Sequence, residues 1–238
     1  MYKRQDLKRY HSQVNEDGRP AYYPYNAKTY TNTSLDNIVK QWHSVEYAFK
    51  LMDMSARQQQ VSYSRVGMFR NDAMYLTPID IAMLDTKLQT YDSLNRYVTV
   101  APFGRSPIND RMIYGPMEAV RIWSTQRFAK IDERARLRQD PGYEMHSERF
   151  LNASIFPAMA APINVDRHCC FVRTRSDESA LISDCGMTGD TEDWGSVDKK
   201  ALVERIAQKN CTFYKMGARW TAVGCGEGIE YYLSLIHI

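Results

Sequence analysis

Leu35, Ile38, Val39, Trp42, Val45, Phe49 and Met52 recur mostly three or four residues apart. That interval is one turn of α-helix, so this run lines one side of a long amphipathic helix. Such a helix is not stable alone; its apolar stripe needs a second layer of structure to cover it. Ser34 stands where an N-cap belongs, and the pattern fades near Arg57. The stripe carrying Trp42 and Phe49 reads as core.

The covering layer is expected to be a sheet. Val61 to Arg70 reads as a strand with a buried second half, and Tyr97-Val98-Thr99-Val100-Ala101 as another, stopped by Pro102. Ile163-Asn164-Val165 opens an extended segment, and Cys169-Cys170-Phe171-Val172-Arg173 is a third apolar strand. Helical patterns lie between and after them. Ile79, Met83, Leu84 and Leu88 suit a short helix after Pro78, and Val120, Trp123 and Phe128 mark one from about Pro116 to Phe128. Ser147 is placed to cap a helix carrying Phe150, Leu151 and Ile155 and stopped at Pro157. Leu202, Val203 and Ile206 face inward from a helix over Val197 to Gln208. From Lys130 to Gln139 the charges alternate in sign, the mark of a solvated helical face with local ion pairs. Asp140-Pro141-Gly142 is a turn. Strands separated by helices point to an α/β fold with a largely parallel sheet.

Residues 1–33 are polar and lack a sustained period, and read as an irregular N-terminal arm. Residues 34–230 are expected to form one α/β domain. Tyr231 to Ile238 is apolar and unlike what precedes it, and reads as a non-native tail.

Composition narrows the function classes. The 31 Lys and Arg nearly balance the 28 Asp and Glu, for a net charge of +3. That balance does not favour a nucleic-acid partner. Lys3, Arg4, Lys8 and Arg9 are basic, but acids interrupt the other basic stretch, Arg121 to Arg138. No run of about 18 apolar residues is present, so no membrane span is expected. No apolar stretch follows Met1-Tyr2-Lys3-Arg4, so no signal peptide or anchor is read. The 16 Tyr suit sugar or nucleotide contacts and ordinary packing alike. Cys169, Cys170, Cys185, Cys211 and Cys225 include no C-x-x-C pair, which argues against a structural zinc site. Their pairing is open.

Three polar clusters carry the chemistry. The first is Arg70-Asn71-Asp72, where the run Val66-Gly67-Met68-Phe69 stops. Ligands of open α/β sheets bind at carboxyl ends of strands, where an acid can hold a divalent cation and an Arg can pair with phosphate. The same residues would also make a surface turn closed by a local ion pair. Asn109-Asp110-Arg111 and His146-Ser147-Glu148 each precede a helical pattern, and helix starts favour anions and carboxylates. Asn109 and Asp110 could equally cap the helix, and Glu148 could be a first-turn acid behind a capping Ser147. His146 reads as structural, and His168 is a weak metal-ligand candidate.

In order, these pieces are Gln41-Trp42, Arg70-Asn71-Asp72, Tyr75, Pro78-Ile79-Asp80, Val100-Ala101-Pro102, Asn109-Asp110-Arg111, Gly115 and His146-Ser147-Glu148-Arg149-Phe150-Leu151. The series resembles a group of eukaryotic, notably algal and plant, glycosyltransferase-like proteins with a GT-A type nucleotide-sugar fold. The resemblance covers about residues 35–185 and rests on order and spacing, since each motif is short. It implies a Rossmann-like mixed, mostly parallel sheet flanked by helices, with an N-terminal truncation as an open alternative. It also implies transfer of a sugar from a nucleotide-sugar donor to a glycan or other hydroxyl acceptor, with Mn²⁺ or Mg²⁺ on the diphosphate. Asp72 would be the metal ligand. Arg70, Asp72, Asn109 and Arg111 would hold the donor, Asp110 would accept sugar hydroxyls in the catalytic site, and Glu148 would be the general base. Such proteins work in the Golgi or secretory lumen. This chain departs from the usual Asp-x-Asp motif, with Arg70 at the first acid position. That departure favours a second reading, a non-catalytic carbohydrate- or nucleotide-binding protein on the same fold.

Overall fold

The amphipathic period from Leu35 onward folds as one long helix. In a computed structural model of the protein, residues 4–16, 18–24, 32–75, 97–101, 109–139, 141–165, 169, 171–174, 180–181, 212–216 and 219–223 are described. The chain divides into two compact units, each assembled from three stretches. Unit 1 is Met1–Met68, Thr90–Thr99 and Ile113–Asn164; unit 2 is Phe69–Gln89, Val100–Met112 and Val165–Ile238.

In unit 1 the long helix, α2, runs Asn32–Gln58, behind a short helix α1 at Arg4–Ser12. Leu35, Val39, Trp42, Phe49 and Ala56 are buried along α2. Lys50 pairs with Glu46 and Arg57 with Asp53 one turn apart. Ser34 is the third residue of the helix, not its cap. Trp42 stacks on Phe150 with ring centroids 5.0 Å apart and meets Phe128 edge-on at 5.6 Å. The N-terminal arm is less irregular than expected. Tyr10 of α1 is buried, stacking on Phe128 and meeting Tyr22 edge-on. Arg9 pairs with Asp132 at 2.6 Å. These contacts, made far along the chain, hold a helix that its local period does not announce.

Strands β1 (Arg65–Phe69), β2 (Ala73–Tyr75), β3 (Val98–Val100) and β4 (Met112–Pro116) follow α2. Helices α3 (Met117–Thr125) and α4 (Arg127–Leu137) come next, with a break at Gln126. Ile131, Arg134 and Ala135 of α4 are buried, so the sign-alternating stretch is solvated only in part. A short helix α5 (Ser147–Phe150), a π-helical turn (Leu151–Ile155) and α6 (Phe156–Ala158) lead to β5 (Ile163–Val165). His146, rather than Ser147, occupies the position before α5. The strands of this part pair in the order β1-β4-β3-β5, a mixed four-stranded sheet with helices, which is α/β in class.

The hydropathy pattern does not flag β4. Met112, Ile113 and Tyr114 are all buried, so successive side chains are covered on both faces of β4, which lies between β1 and β3. A strand covered on both faces loses the alternation that marks a half-exposed one. Thr99 pairs with Tyr114 in antiparallel register, which puts Gly115 opposite Val98. A Cβ on Gly115 would lie 2.7 Å from Val98 Cγ1 and 3.0 Å from the Tyr97 carbonyl oxygen, so only glycine fits there unstrained.

Unit 2 holds a second sheet in the order β2-β6-β7-β9-β8, with β6 at Phe171–Thr174, β7 at Ala180–Leu181, β8 at Thr212–Met216 and β9 at Arg219–Val223. All its neighbouring strands are antiparallel, as are β3 and β4. The expectation of a mostly parallel sheet is therefore corrected. Antiparallel neighbours need no crossover connection, so β8 and β9 can pair although they stand close together in sequence. Ala101, Met112, Cys169 and Phe171 form the buried core here, with Ala73 and Tyr75 packed against it. The expected helices after Pro78 and over Val197 to Gln208 lie outside the described residues, as do Pro102, His168 and the other four cysteines. Among the described residues, no helix is long and apolar enough to cross a membrane.

Candidate functional site

β1 ends at Phe69, and the next residue, Arg70, turns the chain toward β2. The Ala73 amide closes this turn by donating to the Arg70 carbonyl oxygen at 3.3 Å. Two residues apart across it, Arg70 and Asp72 meet as a fork: Nε donates to Oδ1 at 2.7 Å and Nη2 to Oδ2 at 2.5 Å. Bidentate pairing of this kind is the strongest geometry open to an arginine and a carboxylate.

The second cluster joins the first. Arg70 Nη1 lies 3.5 Å from Asp110 Oδ2, and Arg111 Nη1 donates to Asp110 Oδ1. Acid and base thus alternate as Asp72, Arg70, Asp110, Arg111. Backbone bonds brace the chain of charges. The Arg111 carbonyl oxygen accepts the Arg70 amide at 3.1 Å and the Tyr75 hydroxyl at 3.0 Å. Asn109, fully buried, donates from Nδ2 to the Ala101 carbonyl oxygen at 2.5 Å and accepts the Arg111 amide at 2.9 Å. All of these residues belong to unit 2.

Exposure is graded along the quartet. The side chains of Asp110 and Arg111 are 2% and 7% exposed, Arg70 is 22% and Asp72 is 31%. Burial pushes the Asp72 carboxyl up, but the Arg70 hydrogen bonds and the charges of Arg70 and Arg111 outweigh it and leave the group below its ordinary value. Burial is also the main reason the Tyr75 hydroxyl is held well above its ordinary value, so it serves as a neutral donor.

One expectation about this cluster is corrected. Asn109-Asp110-Arg111 precedes the strand β4, not a helix. Asn109 works as a buried brace between loop and strand, because its amide can donate and accept at once. The sequence alone did not single out Tyr75 for its bond to the Arg111 carbonyl. A tyrosine two residues past the turn, on the strand that follows, was the available signal.

Glu148 belongs to unit 1. It is the second residue of α5, its side chain 16% exposed, with Oε2 3.4 Å from His146 Nδ1. Arg149 stacks over the Tyr143 ring at 4.0 Å. Nearby, the buried Glu144 accepts the Tyr23 amide at 3.3 Å and the Gly142 amide at 3.2 Å, while its carbonyl oxygen accepts Arg134 Nε at 3.2 Å. Burial raises the Glu144 carboxyl above its ordinary value, against those same backbone bonds.

The quartet is neutral overall. Two carboxylates are compensated by two guanidiniums. Each oxygen of Asp72 and Asp110 faces a guanidinium. Among the described residues, no group of three or more His, Cys, Asp or Glu could hold a metal ion. Asp80 lies outside them.

Compared with known proteins, the chain matches no family model, no curated protein and no solved structure.

Proposed function

We propose that this protein binds a phosphate-bearing ligand, a nucleotide or nucleotide-sugar, through Arg70, and that Asp110 serves as a buried counter-ion rather than a catalytic group. One observation carries the reading: at the more exposed end of the quartet the Arg70 guanidinium holds the Asp72 carboxylate in a bidentate fork, the geometry two phosphate oxygens would take, while its Nη1 lies 3.5 Å from the buried Asp110. A planar fork held in place matches two phosphate oxygens and loses little freedom on binding. Asn109 and Arg111 then support the site through the backbone of the turn rather than by touching the ligand. The chemistry is phosphate recognition, which needs no metal.

Binding of uridine and guanosine diphosphates and of their sugar conjugates, measured by titration calorimetry with and without Mn²⁺, tests it. Micromolar binding that is independent of Mn²⁺ and lost in Arg70→Ala is expected. Absence of binding by any of these ligands to the folded protein overturns it.

Transfer of the sugar to a hydroxyl acceptor is the second reading, and Glu148 supports it. Its carboxylate is partly exposed at the start of α5, with Oε2 3.4 Å from His146 Nδ1. Glu148→Gln would then lower turnover by on the order of a hundredfold or more with donor affinity unchanged. Unchanged turnover would leave Glu148 as a first-turn acid.

A further inference from the structure

We propose that Asp72 is an internal anion that occupies the Arg70 fork, and that a phosphate or diphosphate group binds by taking its place. The inference rests on the reading of Arg70 as the phosphate contact and adds how access to that contact is controlled. The two Asp72 oxygens accept from Nε and Nη2 of Arg70 at 2.7 and 2.5 Å, the same two donors that would meet two phosphate oxygens. Carboxylate and phosphate therefore compete for one set of bonds.

The quartet is built so that the outer acid can leave without the rest. Asp72 has the most exposed side chain of the four, and Asp110 the least. Arg70 keeps a second anchor when Asp72 turns away, because its Nη1 is 3.5 Å from Asp110 Oδ2. Asp72 stands in the turn before β2, so a rotation about its own side-chain bonds gives up the Arg70 bonds and the bond from its own amide but breaks no sheet pairing. Charge makes the exchange selective. With Asp72 in place the four groups sum to zero; with it turned out, the site carries one positive charge and draws an anion. Asp72 is ionised at neutral pH, so it competes under ordinary conditions.

This arrangement predicts the opposite of a metal-ligand role. An acid that holds a cation on the diphosphate strengthens binding, and its removal weakens it. An acid that guards the fork weakens binding, and its removal strengthens it.

The test uses the full chain and two probes, inorganic pyrophosphate and uridine diphosphate, titrated by calorimetry at fixed ionic strength. Asp72→Asn is expected to bind both probes about fivefold to tenfold more tightly than the unaltered protein. Its affinity should also fall more steeply with salt. Equal gains for the two probes place the effect on the phosphate group. Adding Arg70→Ala to Asp72→Asn should erase the gain. Asp72→Ser is the companion variant in case the asparagine amide obstructs the fork, and circular dichroism checks that each variant is folded. Unchanged or weaker binding in both folded variants overturns the proposal, and if the unaltered protein still binds uridine diphosphate, the phosphate-binding reading stands without it. Failure of every form to bind either probe removes both.

Discussion

The Tyr22 hydroxyl donates to Asp132 Oδ1 at 2.8 Å, joining the N-terminal arm to α4 across 110 positions of chain. Arg9 takes the other oxygen of the same carboxylate at 2.6 Å. Burial, reinforced by the hydrogen bond to Asp132 and its charge, pushes the Tyr22 hydroxyl up to about 12. A raised folded value means the stabilisation is complete below the unfolded value near 10 and is lost as pH climbs through about 12. Tyr22→Phe should cost about 1 kcal/mol at neutral pH and remove the alkaline part of the stability profile that Tyr22 contributes. Urea midpoints from pH 8 to 11.5 check this; a profile identical to the unaltered protein's would refute it.

Gly115→Ala should destabilise the protein by about 1–3 kcal/mol, because the added methyl meets Val98 Cγ1 at 2.7 Å and strand backbone at 3.0 Å. A thermal melt reads the effect. An unchanged midpoint would mean that β3 and β4 separate without cost.

Asp110→Ala should cost about 3–5 kcal/mol, since Arg111 would then be a buried cation beside Arg70 with the shared carboxylate gone. Asp110→Asn should cost less, because its amide oxygen still accepts. Chemical denaturation separates this structural role from a catalytic one. A normally stable Asp110→Ala protein that loses only turnover would make Asp110 a catalytic group.

Two carboxyls shift stability in opposite senses as the medium is acidified. Asp72 is held below its ordinary value, so its contribution is present above the unfolded value and lost as pH falls through the folded one. Glu144 is raised by burial, so its contribution grows as pH falls and is lost as pH rises through its folded value. The destabilisation caused by Asp72→Asn should therefore shrink from pH 7 to pH 3, and that caused by Glu144→Gln should grow. Denaturant midpoints at four pH values across that range measure both slopes, and parallel slopes for the two variants would contradict the assignment.

What could be read from the chain in advance follows local chemistry. The period of Leu35 to Met52 specified a helix, and the apolar run ending at Arg70 specified a strand with charge at its end. Both depend on side chains a turn or a pleat apart. The helix at Arg4–Ser12 and the strand at Met112–Pro116 were missed for a shared reason. Arg9 and Tyr10 are held by partners in α4, and β4 is buried on both faces, so neither carries a signal within its own window. The β8–β9 hairpin fell in a region where the resemblance had no counterpart to offer.

Residue identity alone placed Arg70, Asp72, Asp110 and Arg111 at the ends of elements and marked the arginines as partners for phosphate, Asp72 as a cation ligand and Asp110 as an acceptor of sugar hydroxyls. Only the folded chain decided that the four alternate in charge, that Asp110 is buried and Asp72 accessible, and that Glu148 belongs to a different unit. The reason is physical. Charge and hydropathy are properties of a residue and its neighbours in sequence. Which acid neutralises which base depends on distances set by β1 and β4 meeting side by side, and on how much water their packing leaves around each group.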